Sequence, residues 1–119
     1  MRAIYAPAQY VTMYVAAAAA VRRVLPAAAV GPGNFCAFAQ AAGACVTTRP
    51  DVLAMVDGIV ASGSAVDFLA TSSYAAFLGA AAGVVGYEPA QVAEDALALA
   101  ALAARHPGAL GGVPRFAHE

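Results

Sequence analysis

Two residues that could do chemistry stand directly after predicted strands. Glu119 follows the extended run 113–118, and Tyr74 comes shortly after the apolar run 66–71. In parallel α/β folds, catalytic side chains come from the carboxyl ends of strands. A carboxylate can act as a nucleophile or a base, and a tyrosine hydroxyl can orient it. A solvated acid at Glu119 and a structural tyrosine at Tyr74 are the simpler alternatives.

The sequence lacks the motifs of several other catalytic and binding classes. The Gly-Pro-Gly at 31–33 has neither the further glycine of a dinucleotide loop nor a following Gly-Lys pair, and no serine lies in G-x-S-x-G. Cys36 and Cys45 have no nearby histidine to complete a zinc site, so they are either buried thiols or a disulfide. We therefore predict no metal and no cofactor.

Composition limits the protein class. The 119 residues are enough for one domain and too few for two. They are 62% hydrophobic and 11% charged, which excludes ordinary intrinsic disorder. With six arginines, no lysine and a net charge of -1, the chain has no basic field, so we expect no nucleic-acid partner.

One uncharged stretch, residues 68–87, is about long enough to cross a bilayer. It contains three glycines and the polar residues Thr71, Ser72 and Ser73, which disfavour a transmembrane helix. A buried strand followed by a loop is the preferred interpretation, so no membrane partner is predicted. A small membrane protein remains a minor alternative, and the cellular compartment stays open.

Apolar periodicity predicts three helices. The first carries its large residues at helical spacing and ends at Pro26, the second begins near Thr48 and Pro50 and ends at Gly63, and the third runs from Pro89 to His106. The expected apolar faces are Tyr10, Met13, Tyr14, Val21 and Val24 in the first helix, and Val52, Val56, Ile59 and Val60 in the second.

Each predicted helix is followed by a short apolar run that predicts a strand, at 27–30, 66–71 and 113–118. The order helix, strand, helix, strand, helix, strand is typical of an α/β fold with parallel strands. The connections 34–47 and 73–88, which leave the strands, are long. Long loops at the carboxyl ends of strands are where such folds build sites.

Three parallel strands alone leave both sheet edges unpaired, so we expect the chain to be part of a larger barrel or sheet. A non-enzymatic, alanine-rich α/β binding module that forms oligomers is the main alternative. The oligomeric state cannot be read from the sequence.

Three segments resemble clan A glycoside hydrolases, especially the xylosidases and iduronidases of family 39. The first is "YVTMYVAAAAAVRRVLPAAAVGPGNF", similar to a helix of the form Y-x-x-x-Y that leads through a basic pair to a strand ending in Gly-Gly-Pro. The second is "VDFLATSSY", similar to V-D-F-[VL]-S-x-H-x-Y, with Ser72 in place of the family histidine. The third is "GVPRFAHE", similar to a strand that ends on the nucleophilic glutamate.

This resemblance implies that residues 1–119 form strands five to seven of a (β/α)8 barrel of a retaining glycosidase. It makes Glu119 the nucleophile and Tyr74 the residue that orients it, with Ser72 and Asn34 as substrate-binding residues. The substrate is then a carbohydrate. The acid/base glutamate is expected upstream of residue 1, so the isolated chain should be inactive.

His118 stands where the family has threonine before the nucleophile. Because successive strand residues face opposite sides, we expect His118 to lie away from Glu119 and the sugar.

Overall fold

The structure, a computed structural model, describes residues 6–32, 35–36, 50–72, 76–79, 84–87 and 90–118. Within these ranges, residues 35–36, 72, 76–79, 84–87, 90–92, 94–95 and 117–118 are described by their backbone. The chain is a mixed α/β protein. Its elements follow in the order α1 (Pro7–Val24), β1 (Phe35–Cys36), α2 (Pro50–Ala61), β2 (Leu69–Ser72), β3 (Ala76–Gly79), β4 (Val84–Tyr87), α3 (Ala90–Ala104), α4 (Pro107–Leu110) and β5 (Arg115–His118).

The main sheet has the strand order β1-β2-β5, and both of its strand pairs are parallel. Each strand therefore lies beside the strand that follows it in the helix–strand alternation, as the sequence predicted. Strands β3 and β4, which lie between β2 and α3 in the chain, form a separate antiparallel pair.

The first strand was predicted too early. Residues 27–30 are not a strand, and the first paired strand is β1, at Phe35–Cys36. The reason lies in the hydrogen bonds of Val30: its N–H donates to the Asp67 carboxylate at 2.7 Å, while its carbonyl accepts from the Asp67 N–H at 2.8 Å. Pro32, which follows, has no N–H to donate to a ladder. The apolar run thus lies beside the start of β2 without joining the sheet there.

Gly31 allows this close approach, because a Cβ built on it would lie 2.4 Å from the Phe68 carbonyl oxygen. We expect Gly31→Ala to lower the free energy of unfolding by about 1–3 kcal/mol, because backbone atoms must shift to make room. Gly112→Ala is the matched control, since a Cβ there meets nothing within 4 Å. Urea titration of both variants measures the difference, and equal midpoints would contradict the tight contact.

The predicted apolar face of α1 is only partly correct. Tyr14 and Ala18 are buried, but Met13 and Val21 are exposed. The buried side is fixed by the Tyr14 hydroxyl, which donates a hydrogen bond of 2.8 Å to the Ala65 carbonyl. Burial of this phenol, with the nearby Asp67 carboxylate, raises its pKa.

The core lies between the sheet and helices α2 and α3. Its main cluster comprises Val52, Val56, Leu69, Leu99, Leu102, Ala103 and Leu110. A second cluster joins α1 to α2 through Tyr14, Ala18 and Ile59. The predicted buried face of α2 is therefore confirmed at three of its four positions, and Val60 is half-buried.

The third helix ends at Ala104, two residues before the predicted end at His106, and the turn that follows leads into the short helix α4. The His106 imidazole makes a 2.7 Å hydrogen bond to Asp57 of α2. Arg105 binds the other oxygen of the same carboxylate at 2.6 Å, so the turn is attached to α2.

Within the described ranges, no helix combines the length and hydropathy needed to cross a membrane. The described parts of segment 68–87 are strand β2 and the β3–β4 pair.

The two faces of the main sheet differ in what covers them. Leu69 belongs to the core cluster formed with α2 and α3, so its face is the helix-covered face. The opposite face carries Phe68 and, paired with Ala70, Phe116. The two phenyl rings meet edge to face with centroids 6.0 Å apart. Phe116 is nevertheless 51% exposed, which leaves apolar surface on this second face.

Candidate functional site

The carboxyl ends of the three parallel strands form one row across the sheet. Cys36 pairs with Ser72, and Ser72 pairs with His118. Each is the last residue of its strand. Paired positions in a sheet share a face, so all three residues belong to the second face, which also carries Phe116.

Of the sequence-predicted site residues, Ser72 lies in this row. Asn34, Tyr74 and Glu119 lie outside the described residues. In sequence, Tyr74 is two residues after the end of β2, and Glu119 is one residue after the end of β5. The strands that lead to them are parallel neighbours, and their ends are in register.

The register of β2 with β5 also determines which face of the sheet His118 lies on. Ser72 was expected toward the sugar and His118 away from it, but the pairing places both on one face of the sheet. The two expectations cannot both hold. The alternation of residues within β5 could not show that His118 shares a face with Ser72. That depends on how β5 is aligned with β2, and the two paired residues are 46 positions apart in the sequence.

The long loop predicted at 73–88 contains the β3–β4 hairpin. Its strands pair from Ala76 with Tyr87 to Gly79 with Val84. The signal was present in the sequence: two short apolar runs separated by four residues that end in a glycine are typical of a hairpin. In sequence, the hairpin follows the carboxyl end of β2.

A charged cluster lies at the opposite end of β2, where the strand begins. One oxygen of Asp67 accepts hydrogen bonds from the Val30 N–H and from the guanidinium of Arg22. The hydrogen bond from the Val30 backbone, and then that from Arg22, hold the pKa of the Asp67 carboxyl below its usual value. This cluster joins α1 to the start of the strand, which is a structural role.

The Asp67 contacts predict an acid-dependent loss of stability. Because the folded-state pKa is lowered, the stabilisation is complete above the unfolded-state pKa of about 3.9 and is lost as the pH falls through the lower folded-state value. We expect the thermal midpoint of Asp67→Asn to fall less than that of the parent as the pH is lowered below about 4. Asp57→Asn keeps Asp67, so its midpoint should still show the fall that Asp67 causes. An unchanged acid profile in Asp67→Asn would contradict the assignment.

Asp57, Arg105 and His106 form the second charged cluster. An acid beside a histidine is found in nucleophile–base systems, but here the hydrogen bonds from Arg105 and then His106 use both carboxylate oxygens. These bonds hold the Asp57 pKa below its usual value. The cluster joins α2 to the turn after α3, so it lies in the helical layer and away from the carboxyl ends of the strands. We assign it a structural role.

An open cleft of about 310 Å³ lies beside the residues that lead into β2. It is lined by Val60, Gly63, Ser64, Val66, Asp67 and Ala109, among others. The cleft is at the amino-terminal end of the strand, the end that contributes stability in barrel folds. Among the described residues, no group of three metal-ligating side chains is found.

No protein-family model matches the chain, and no curated protein or solved structure does.

Proposed function

We propose that this chain contributes three consecutive strands and their helices to a (β/α)8 barrel of a retaining glycoside hydrolase. Glu119 is the nucleophile, and Tyr74 orients it. The observation that carries the proposal is the register at the carboxyl edge, where Ser72 of β2 pairs with His118 of β5. In sequence, Tyr74 and Glu119 follow these two paired strand ends within two residues.

The strand order supports a barrel. In a (β/α)8 barrel each strand lies beside the next strand in the chain, with a helix in between. The order β1-β2-β5 follows this rule, because α2 separates the first two strands and α3 with α4 separates the next two. The first half of a doubly wound sheet would give the same local order, so a second observation is needed.

The second observation is the uneven covering of the sheet. The Leu69 face packs against helices, while Phe116 on the other face is half exposed. In a barrel, one face receives the outer helices and the other is buried in the barrel interior by layers of large side chains. Phe68 and Phe116 have the size and position of such interior residues.

Retaining hydrolysis needs two carboxyl groups about 5–5.5 Å apart. One attacks the anomeric carbon and forms a glycosyl ester, and the other protonates the leaving oxygen and then activates water. In this proposal Glu119 makes the attack as a carboxylate, and the Tyr74 hydroxyl donates a hydrogen bond to it. The acid/base comes from a neighbouring barrel strand that is not among these residues.

The proposal places one condition on the backbone. If the pleat alternated unchanged through Glu119, this residue and Ser72 would lie on opposite faces of the sheet. The nucleophile therefore requires that regular alternation end with His118, as it does where a strand gives way to a loop.

The first experiment extends the reading frame in both directions from these 119 residues. We expect an Asn-Glu-Pro or similar turn a short way upstream and a further helix and strand downstream. A frame that starts and stops at these residues would contradict the barrel.

The second experiment treats the complete protein with 2,4-dinitrophenyl 2-deoxy-2-fluoroglycosides of xylose and glucose. A retaining nucleophile should form a stable glycosyl ester, detected as an added mass on the peptide that contains Glu119. Absence of an adduct with both sugars, or an adduct on another carboxylate, would reject Glu119.

One observation favours a second candidate, an oligomeric binding module without catalysis. Helix α1 exposes Met13, Val21 and Val24, and Leu25 follows them. This apolar surface would suit a contact between subunits. Sedimentation of the 119-residue chain with a glycoside titration separates the two: a stable oligomer without sugar affinity favours the module.

A further inference from the structure

The row of Cys36, Ser72 and His118 places three hydrogen-bonding residues at the carboxyl edge of one sheet face. Of these three, only Ser72 was predicted to bind the substrate. The other two share its row, its face and its position as the last residue of a strand.

Strand spacing decides what chemistry this row can support. Neighbouring strands are about 4.8 Å apart, so Cys36 and His118 are separated by about 9.6 Å at the backbone. That separation disfavours a direct thiolate–imidazole pair. Ser72 lies between the two and is the strand neighbour of both.

The three residue types suit a hydroxylated ligand better than a metal. An imidazole and a hydroxyl can each donate and accept a hydrogen bond, whereas a thiol is weak in both roles. The distance between neighbouring strands, about 4.8 Å, is similar to the distance between hydroxyls on alternate carbons of a pyranose ring. The Ser72–His118 pair is therefore the stronger part of the row, and Cys36 lies at its weaker end.

We propose that His118 is a sugar-binding residue that acts with Ser72 to recognise two hydroxyls of the same ring. This rests on the proposed function, because the ligand is the sugar that Glu119 attacks. His118 thereby becomes a specificity-determining residue.

The test follows the imidazole signals of the ¹⁵N-labelled complete protein by NMR during titration with methyl β-D-xylopyranoside or methyl β-D-glucopyranoside. His106→Gln and His118→Gln assign the two signals, and the His106 imidazole is the matched control, because it is hydrogen-bonded to Asp57 in the helical layer. We expect a saturable shift of the His118 signals and no shift of the His106 signals. Ser72→Ala should weaken binding by about two- to tenfold, the effect of one hydrogen bond.

A second measurement uses the fluoroglycoside reaction on the complete protein. His118→Gln should raise the inactivator concentration for half-maximal labelling by about two- to tenfold, with the maximal labelling rate nearly unchanged. Labelling that is identical to the parent, with silent His118 signals, overturns this inference while Glu119 stands as nucleophile. A His118 shift without labelling supports sugar binding and rejects hydrolysis. Equal shifts of both histidines, or silent histidines without labelling, reject the sugar site.

Discussion

Glu119→Ala is expected to reduce hydrolysis by the complete protein by about 10⁴-fold or more, because no glycosyl ester can form without the nucleophile. The assay uses a 2,4-dinitrophenyl glycoside, whose leaving group needs no protonation, so the acid catalyst does not limit the first step. The rate loss then reports on the attacking carboxylate alone.

Azide makes this prediction specific. A small anion can occupy the space that the missing carboxylate leaves and attack the same side of the anomeric carbon. We expect azide to restore turnover of the activated substrate in Glu119→Ala and to give a glycosyl azide of inverted configuration, whereas the parent gives a sugar of retained configuration. The product anomers are read by NMR.

The matched control is Glu94→Ala, which removes a glutamate from helix α3 and not from a segment after a strand. It should retain near-parent activity and should not respond to azide. Equal losses in the two variants would indicate a general effect on folding. Full activity of Glu119→Ala would remove the nucleophile assignment altogether.

Helices and parallel strands were predictable here because they depend on local signals. The spacing of Val52, Val56 and Ile59 predicted the buried face of α2, and Gly63, with a φ of 71°, follows that helix as predicted. The strands at Leu69–Ser72 and Arg115–His118 lie almost within the predicted runs, each ending within one residue of the prediction.

Features that depend on distant partners were not predictable from local patterns. The run 27–30 has the composition of a strand, yet Asp67 takes the N–H of Val30, and pairing starts only at Phe35. Similarly, α1 has apolar residues on several sides, and its contact with Ala65 decides which side is buried. In both cases a distant residue determines the outcome, 37 positions away for Val30 and 51 positions away for Tyr14.

The candidate site shows the same division. Positions after predicted strands pointed to Tyr74 and Glu119, and the family resemblance added Ser72; of these three, only Ser72 lies among the described residues. The membership of His118 in the Ser72 row needed the register of β2 with β5, which is a property of the folded sheet.

Leu69→Ala should lower the free energy of unfolding by about 3–5 kcal/mol, a larger loss than we expect for Gly31→Ala. Leu69 is 0% exposed and is the residue of β2 that packs into the cluster with α2, α3 and α4. Removing it opens a cavity where all these elements meet, and the neighbouring elements cannot all move in to fill it. For a single small domain, this loss is a large part of the total stability.

Leu97→Ala is the matched control, since it deletes the same atoms from a leucine that is 70% exposed on α3. Its effect should stay within about 0.5 kcal/mol. Urea-induced unfolding followed by circular dichroism measures both variants. Similar midpoints for the two would mean that Leu69 is not at the junction of sheet and helices. The helix-covered face would then be assigned wrongly, and with it the opposite face that carries Phe116, Ser72 and His118.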